Sequence, residues 1–123
     1  MSFFLEEKRT RERRRSIYYL QVRDEKSSDA VGRLVDISDE GLMIVTSKSM
    51  QRGAVHALNL SVDEADEPIH FRAETRWCRP DANPSLYMVG LHVLDPEAGY
   101  LALARLIKVH YSIESFRVDE ESV

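Results

Sequence analysis

Residues 69–77 read Ile69-His-Phe-Arg-Ala-Glu-Thr-Arg-Trp77. Ile69, Phe71, Ala73, Thr75 and Trp77 fall on one side of a period-two pattern, and His70, Arg72, Glu74 and Arg76 on the other. That period belongs to a strand with one buried face, because successive side chains of a strand point to opposite faces. Trp77 is accordingly expected on the core side. Working outward, residues 17–23 (Ile-Tyr-Tyr-Leu-Gln-Val-Arg) are rich in β-branched and aromatic side chains, which suit a pleated surface. Val31, Val35 and Ile37 alternate, residues 42–46 form a short apolar run, Leu58, Leu60 and Val62 share a face, and Tyr87, Val89, Leu91 and Val93 form a last alternating stretch.

The intervals carry turn chemistry. Residues 24–29, 38–41, 52–53, 63–68 and 80–84 are polar and supply Gly, Pro, Asn or Asp. Six short antiparallel strands so spaced predict a small barrel or a sandwich. The C-terminal part changes period. Asp95-Pro96 reads as an N-cap followed by proline, and Tyr100, Leu103, Ile107 and Tyr111 recur at helical spacing with Ala104 beside them. One helix from about residue 96 is expected to lay this stripe on the strands.

Composition bounds the class. A chain of 123 residues with 43% hydrophobic and 31% charged residues is expected to form one globular domain that buries about two-thirds of its unfolded surface. The single Cys78 leaves no intrachain disulfide and fits a reducing, cytoplasmic setting. No apolar run approaches the roughly 18 residues of a spanning helix, and the patch Phe3-Phe4-Leu5, followed by acid, does not read as a signal peptide. Membrane insertion is not expected.

Charge is divided unevenly. The chain carries 17 basic and 21 acidic residues. Residues 8–15, Lys-Arg-Thr-Arg-Glu-Arg-Arg-Arg, hold six of the basic ones and a single acid, so this arm is net +5 and the remainder is net −9. The arrangement gives three regions: a basic, flexible N-terminal arm over residues 1–15, a strand-and-helix body over 16–112, and an acidic tail over 113–123. A basic arm on an acidic body asks for an anion, and the body would repel a long polyanion. Nucleic acid is therefore disfavoured.

Catalysis finds little support. His56, His70, His92 and His110 lie on separate elements without metal-ligand spacing, and one cysteine cannot complete a zinc cluster. His56 and His70 are expected on solvent-facing sides of their strands. Asp36 and Ser38 have no histidine to complete a triad, residues 63–67 lack the ligand alternation of a calcium loop, and no glycine-rich phosphate loop occurs. Neither enzyme activity nor a metal or cofactor is expected.

Two motifs remain. The arm contains Arg-x-x-x-Arg twice, as Arg9 with Arg13 and as Arg11 with Arg15. Asp36-Ile-Ser-Asp-Glu-Gly41 is an Asp-x-Ser-x-x-Gly string between the second and third strands. Read alone, the string is a β-turn in which Asp36 and Ser38 bond local backbone and Gly41 supplies positive φ. Taken together, in this order and separation, the two motifs resemble the PilZ domain family. Residues 32–46, the Arg76-Trp-Cys-Arg-Pro80 stretch and Tyr87-Met-Val-Gly-Leu-His-Val93 resemble that family's middle and later strands.

The resemblance implies a six-stranded antiparallel β-barrel of the split-barrel type with a C-terminal helix, acting as a bacterial receptor for cyclic di-GMP in the regulation of motility or exopolysaccharide. It implies Arg9, Arg13, Arg14, Asp36, Ser38 and Gly41 as ligand-binding residues. Aligning Tyr19-Leu20-Gln21-Val22 with the first strand favours Arg9 and Arg13, with Arg11 and Arg15 as the other register and Trp77 as a further contact at a barrel rim. The chemistry is coherent. Arginine's planar fork meets guanine O6 and N7 as well as phosphate, and a carboxylate accepts from the guanine N1–H and N2–H edge. Closure of the arm would then relay the signal to an effector protein. The competing reading is a degenerate PilZ-like interaction module that ignores the nucleotide.

Overall fold

Turn residues divide the chain where the alternating runs end. The computed structural model describes residues 15–16, 20–62 and 67–112, with residues 15–16 and 111–112 described by their backbone. Strands β1 (Arg15–Ser16), β2 (Gln21–Asp24), β3 (Ala30–Ile37), β4 (Gly41–Thr46), β5 (Val55–Leu60), β6 (Ile69–Pro80) and β7 (Tyr87–Leu94) precede helix α1 (Ala98–His110) and a short β8 (Tyr111–Ser112). β2 to β7 close into an antiparallel barrel in the order β2-β3-β4-β7-β6-β5. The closing pair is β2 with β5, Val22 opposite Leu60 and Asp24 opposite Leu58, so the sheet joins itself and a two-sheet sandwich is excluded. β1 and β8 form a separate parallel ladder, Arg15 opposite Tyr111.

The interior is filled by Val22, Leu34, Ile37, Ile44, Leu58, Leu60, Val89 and Val93, all essentially without solvent exposure. Each such aliphatic side chain contributes about 1.5–3 kcal/mol relative to an exposed one. Tyr100, Leu103, Ala104 and Ile107 of α1 join the same core, so the helix stripe lies on the barrel as expected. No helix among the described residues is long and apolar enough to cross a membrane.

Several local expectations are corrected. β3 carries an extra residue, because Leu34 faces Ile44 while Asp36 already faces Met43. Val35 is left unmatched, and the core positions are Leu34 and Ile37 rather than the alternating Val31, Val35 and Ile37. β6 does the same at Arg76: Thr75 faces Leu91 and Trp77 faces Gly90. One extra residue exchanges the faces beyond it, so Trp77 leaves the core side and lies outside the barrel, 36% exposed. His56 turns inward instead. It pairs with Ala73, on the face of Leu58 and Phe71. At the helix start Asp95 adopts a left-handed φ of 47°, and the Glu97 carbonyl accepts from the Leu101 N–H at 3.0 Å. The cap position therefore falls to Glu97, and Tyr111 belongs to β8 rather than to the helix.

The β2–β3 connection shows how a side chain fixes a turn. Asp24 Oδ2 accepts from the backbone N–H groups of Lys26 at 3.0 Å and Ser27 at 2.9 Å. The Ser27 N–H bond holds the Asp24 carboxyl below its ordinary pKa. A carboxyl depressed in the folded state stabilises the fold above its unfolded pKa and loses that contribution as pH falls through the folded value. We expect a carbon-detected NMR titration to place the Asp24 midpoint below that of a free aspartate. An ordinary midpoint would mean that the turn does not rest on the carboxylate.

Candidate functional site

The two bulges set up one row of outward side chains. Asp36 of β3 faces Met43 of β4, Met43 faces Gly90 of β7, and Gly90 faces Trp77 of β6. The adjoining outward row runs Gly41, His92, Glu74. Residues in cross-strand register share a face, so Asp36 and Trp77, 41 positions apart in the sequence, flank the same strip of sheet.

Glycine shapes the strip at two points. The Trp77 indole lies against Gly90, and a methyl group at Gly90 would collide with the ring's Cε2 and Nε1. The Arg79 guanidinium lies over the ring, 4.6 Å from its centroid. Gly41 meets the Leu91 carbonyl so closely that a Cβ would overlap it. Gly41 does not adopt a positive φ; among the described glycines only Gly53 does, at 91°. Close approach, not a left-handed backbone, is what requires glycine at 41.

A cavity of about 350 Å³ opens over this strip, in the range of small-molecule sites. It is lined by Asp36, Ile37 and Ser38, by residues 40–43, and by Arg76, Trp77 and residues 90–92. Asp36 and Glu40 supply carboxylates, Arg76 and His92 basic groups, and Trp77 a flat ring. Asp36 Oδ1 accepts from the Ile37 N–H at 2.8 Å, which fixes the carboxylate plane. Arg76 lies 3.8 Å from Glu74 in a solvent-exposed pair. Such a pair contributes little, so the guanidinium can exchange partners at small cost. Among the described residues no group of His, Cys, Asp or Glu could hold a metal ion.

The Ser38–Gly41 turn is tied down from both sides. The Ser38 N–H donates to the Gly41 carbonyl at 2.8 Å, and the Glu40 N–H donates to Ser38 Oγ at 3.2 Å. From α1, the Tyr100 hydroxyl donates to the Ser38 carbonyl at 2.8 Å, with the Gly41 carbonyl at 3.2 Å. Burial, with the Asp39 charge adding, pushes the Tyr100 phenol above its usual range, so it stays a neutral donor. Its ring also stacks at a tilt on Phe71, centroids 5.2 Å apart.

Of the residues singled out in the sequence, Asp36, Ser38, Gly41 and Trp77 come together in this cavity. Arg9, Arg11, Arg13 and Arg14 lie outside the described residues, as do Phe3, Phe4, Leu5 and the tail at 113–123; Arg15 is described by its backbone in β1. Glu40, Met43, Arg76, Gly90 and His92 were missed. Arg76 and Gly90 depend on the β6 bulge, which simple alternation conceals. Met43 and His92 were readable as outward positions of their strands, but nothing local marked them as neighbours.

A PilZ domain profile matches residues 7–108. No match was found among curated proteins. Solved structures that share the fold include the following two. The inhibitor of motility MotI/DgrA of Bacillus subtilis superposes with a TM-score of 0.55 at 20% identity, covering 69% of this chain and 42% of that one. The chain thus spans under half the length of the Bacillus protein. The PilZ domain of YcgR from Escherichia coli, solved with c-di-GMP, gives a TM-score of 0.54 at 12% identity, covering 88% of this chain and 92% of that one.

The tether between helix and turn can be tested. Tyr100→Phe keeps the ring and removes one hydroxyl from two carbonyls. We expect a loss of about 1–2 kcal/mol in urea unfolding, together with shifts of the amide resonances at residues 38–42. Unchanged stability and unchanged amides would show that the hydroxyl does not hold the turn.

Proposed function

The chain belongs to the PilZ domain family, and from that premise we propose that it is a cytoplasmic cyclic di-GMP receptor without catalytic activity. The observation that carries this reading is the shared cavity of Asp36, Ser38, Gly41, Arg76 and Trp77. A cyclic dinucleotide presents guanine edges, purine faces and two phosphates, and each finds a chemical counterpart here. Asp36 accepts from a guanine N1–H and N2–H edge. The Trp77 ring offers a stacking surface once the Arg79 guanidinium over it moves aside, the Ser38 hydroxyl offers a polar contact, and Gly41 forms part of the cavity wall. Arg76 supplies positive charge beside the ring.

The arm completes the site in this reading. Its root at Arg15 is paired to β8, directly after α1. The same helix presents Ala104, Arg105 and Lys108 to a groove shared with Ser38, Asp39 and Glu40. Arg13 and Arg14 are within about 7 Å of chain from Arg15, and Arg9 within about 22 Å. Arg9, Arg13 and Arg14 take guanine O6 and N7 or phosphate through their planar forks, with Arg11 and Arg15 as the other register. Closing the arm over the ligand changes the surface offered to an effector protein, a population shift set by differential affinity. Control of motility or exopolysaccharide is the output class in view; the Bacillus neighbour is described as an inhibitor of motility.

Isothermal titration tests the proposal. Cyclic di-GMP should give saturable heat at micromolar concentration. Arg13→Ala and Asp36→Ala should each weaken binding roughly tenfold or more, the cost of losing a charged hydrogen bond. Absence of heat at tens of micromolar ligand would overturn the receptor reading and leave an interaction module indifferent to the nucleotide.

A further inference from the structure

The bulge at Arg76 has to be held in place. Moving the extra residue one step towards the N-terminus would pair Arg76 with Leu91 and turn its charge into the core. Moving it one step the other way would set Arg76 on Gly90 and unseat the indole. On the indole side the position is fixed by the fit of Trp77 to Gly90. On the other side it is fixed at Thr75, which is fully buried. The Thr75 N–H donates to the Ala54 carbonyl at 2.9 Å, and the Thr75 carbonyl accepts from the Gly53 N–H at 2.8 Å. Its hydroxyl meets His56 Nε2 at 3.3 Å. Neither Thr75 nor His56 lines the cavity.

We infer that His56 and Thr75 are positioning residues for the candidate site: their hydrogen bond behind the sheet fixes the bulge that presents Arg76 and Trp77 to the ligand in front of it. The part that concerns ligand affinity rests on the receptor reading above; the part that concerns Trp77 does not. A buried hydroxyl without its partner costs more than the bond itself contributes, so the His56 contact adds to the Thr75 backbone bonds in holding this residue inward. Holding Thr75 inward keeps Arg76 as the unmatched residue and Trp77 outward.

Trp77 is the sole tryptophan of the chain, so intrinsic fluorescence reports this position directly. We expect Thr75→Val and His56→Leu each to change the Trp77 emission maximum and its quenching by iodide, and Thr75→Ser, which keeps the hydroxyl, to retain the parent spectrum. Combining Thr75→Val with His56→Leu should add little to either change alone, as for two members of one contact. Cyclic di-GMP affinity should fall roughly five- to tenfold in Thr75→Val and recover in Thr75→Ser. In the unmodified protein, adding cyclic di-GMP should shift the His56 ring nitrogen resonances although His56 does not touch the cavity, a readout that needs no variant to fold. A parent-like Trp77 spectrum in folded Thr75→Val, a Thr75→Ser as altered as Thr75→Val, or bound ligand without a His56 shift would each overturn the inference. A changed Trp77 spectrum in a protein that never binds the nucleotide would support the brace and overturn the receptor reading instead.

Discussion

Side chains along a strand exchange faces at every residue, so one inserted residue reverses everything beyond it until the strand ends. The candidate site depends on two such insertions, Val35 in β3 and Arg76 in β6, on the two strands that flank the β4–β7 pair. The first puts Asp36 on the outside while Leu34 and Ile37 stay inside. The second does the same for Trp77 while Thr75 stays inside. Without them a carboxylate would face the core from one strand and an indole would be lost to it from the other. Moving either insertion one step towards the N-terminus disturbs the interior, by turning Arg76 inward in β6 or by replacing Leu34 with Val35 in β3.

The helix and the turn form the second half of the arrangement. Tyr100 is a core residue by its ring and a turn residue by its hydroxyl, which reaches the Ser38 and Gly41 carbonyls. It links the element that follows the barrel to the loop that carries the Asp-x-Ser-x-x-Gly string. The arm root at β1 pairs with β8 immediately after that helix. Turn, helix and arm root are thus joined by covalent chain and hydrogen bonds through one element. Under the receptor proposal, ligand held at the turn and arm is sensed by the helix that lies between them.

Much of the architecture was legible in the sequence because burial imposes period. The interior positions of β5, β7 and α1 follow from alternation and helical spacing, and the turn positions from Gly, Pro, Asn and Asp. Reading failed where a bulge breaks the period. Trp77 looked like a core residue, Val35 like an inward one, and the pairing partner that reveals each insertion lies on another strand. His56 was misassigned because a polar residue on the inward face is justified only by Thr75, 19 positions away. At the helix start, Asp95-Pro96 carried the composition of a cap, but the left-handed backbone at Asp95 moves the first helical bond to Glu97. Asp36, Ser38 and Gly41 were found through a motif. Arg76, Gly90 and His92 were not, because their proximity to that motif exists only in the closed sheet.

Under the receptor proposal, the row from Asp36 through Met43 and Gly90 to Trp77 is the face that receives a guanine dinucleotide. The most direct measurement is an isotope-filtered NMR experiment on the protein with cyclic di-GMP, recording nuclear Overhauser contacts between ligand and protein protons. The account predicts contacts from guanine H8 and ribose protons to the Trp77 indole and the Met43 methyl group. A bound ligand whose contacts fall elsewhere on the barrel, with none to Trp77 or Met43, would contradict it.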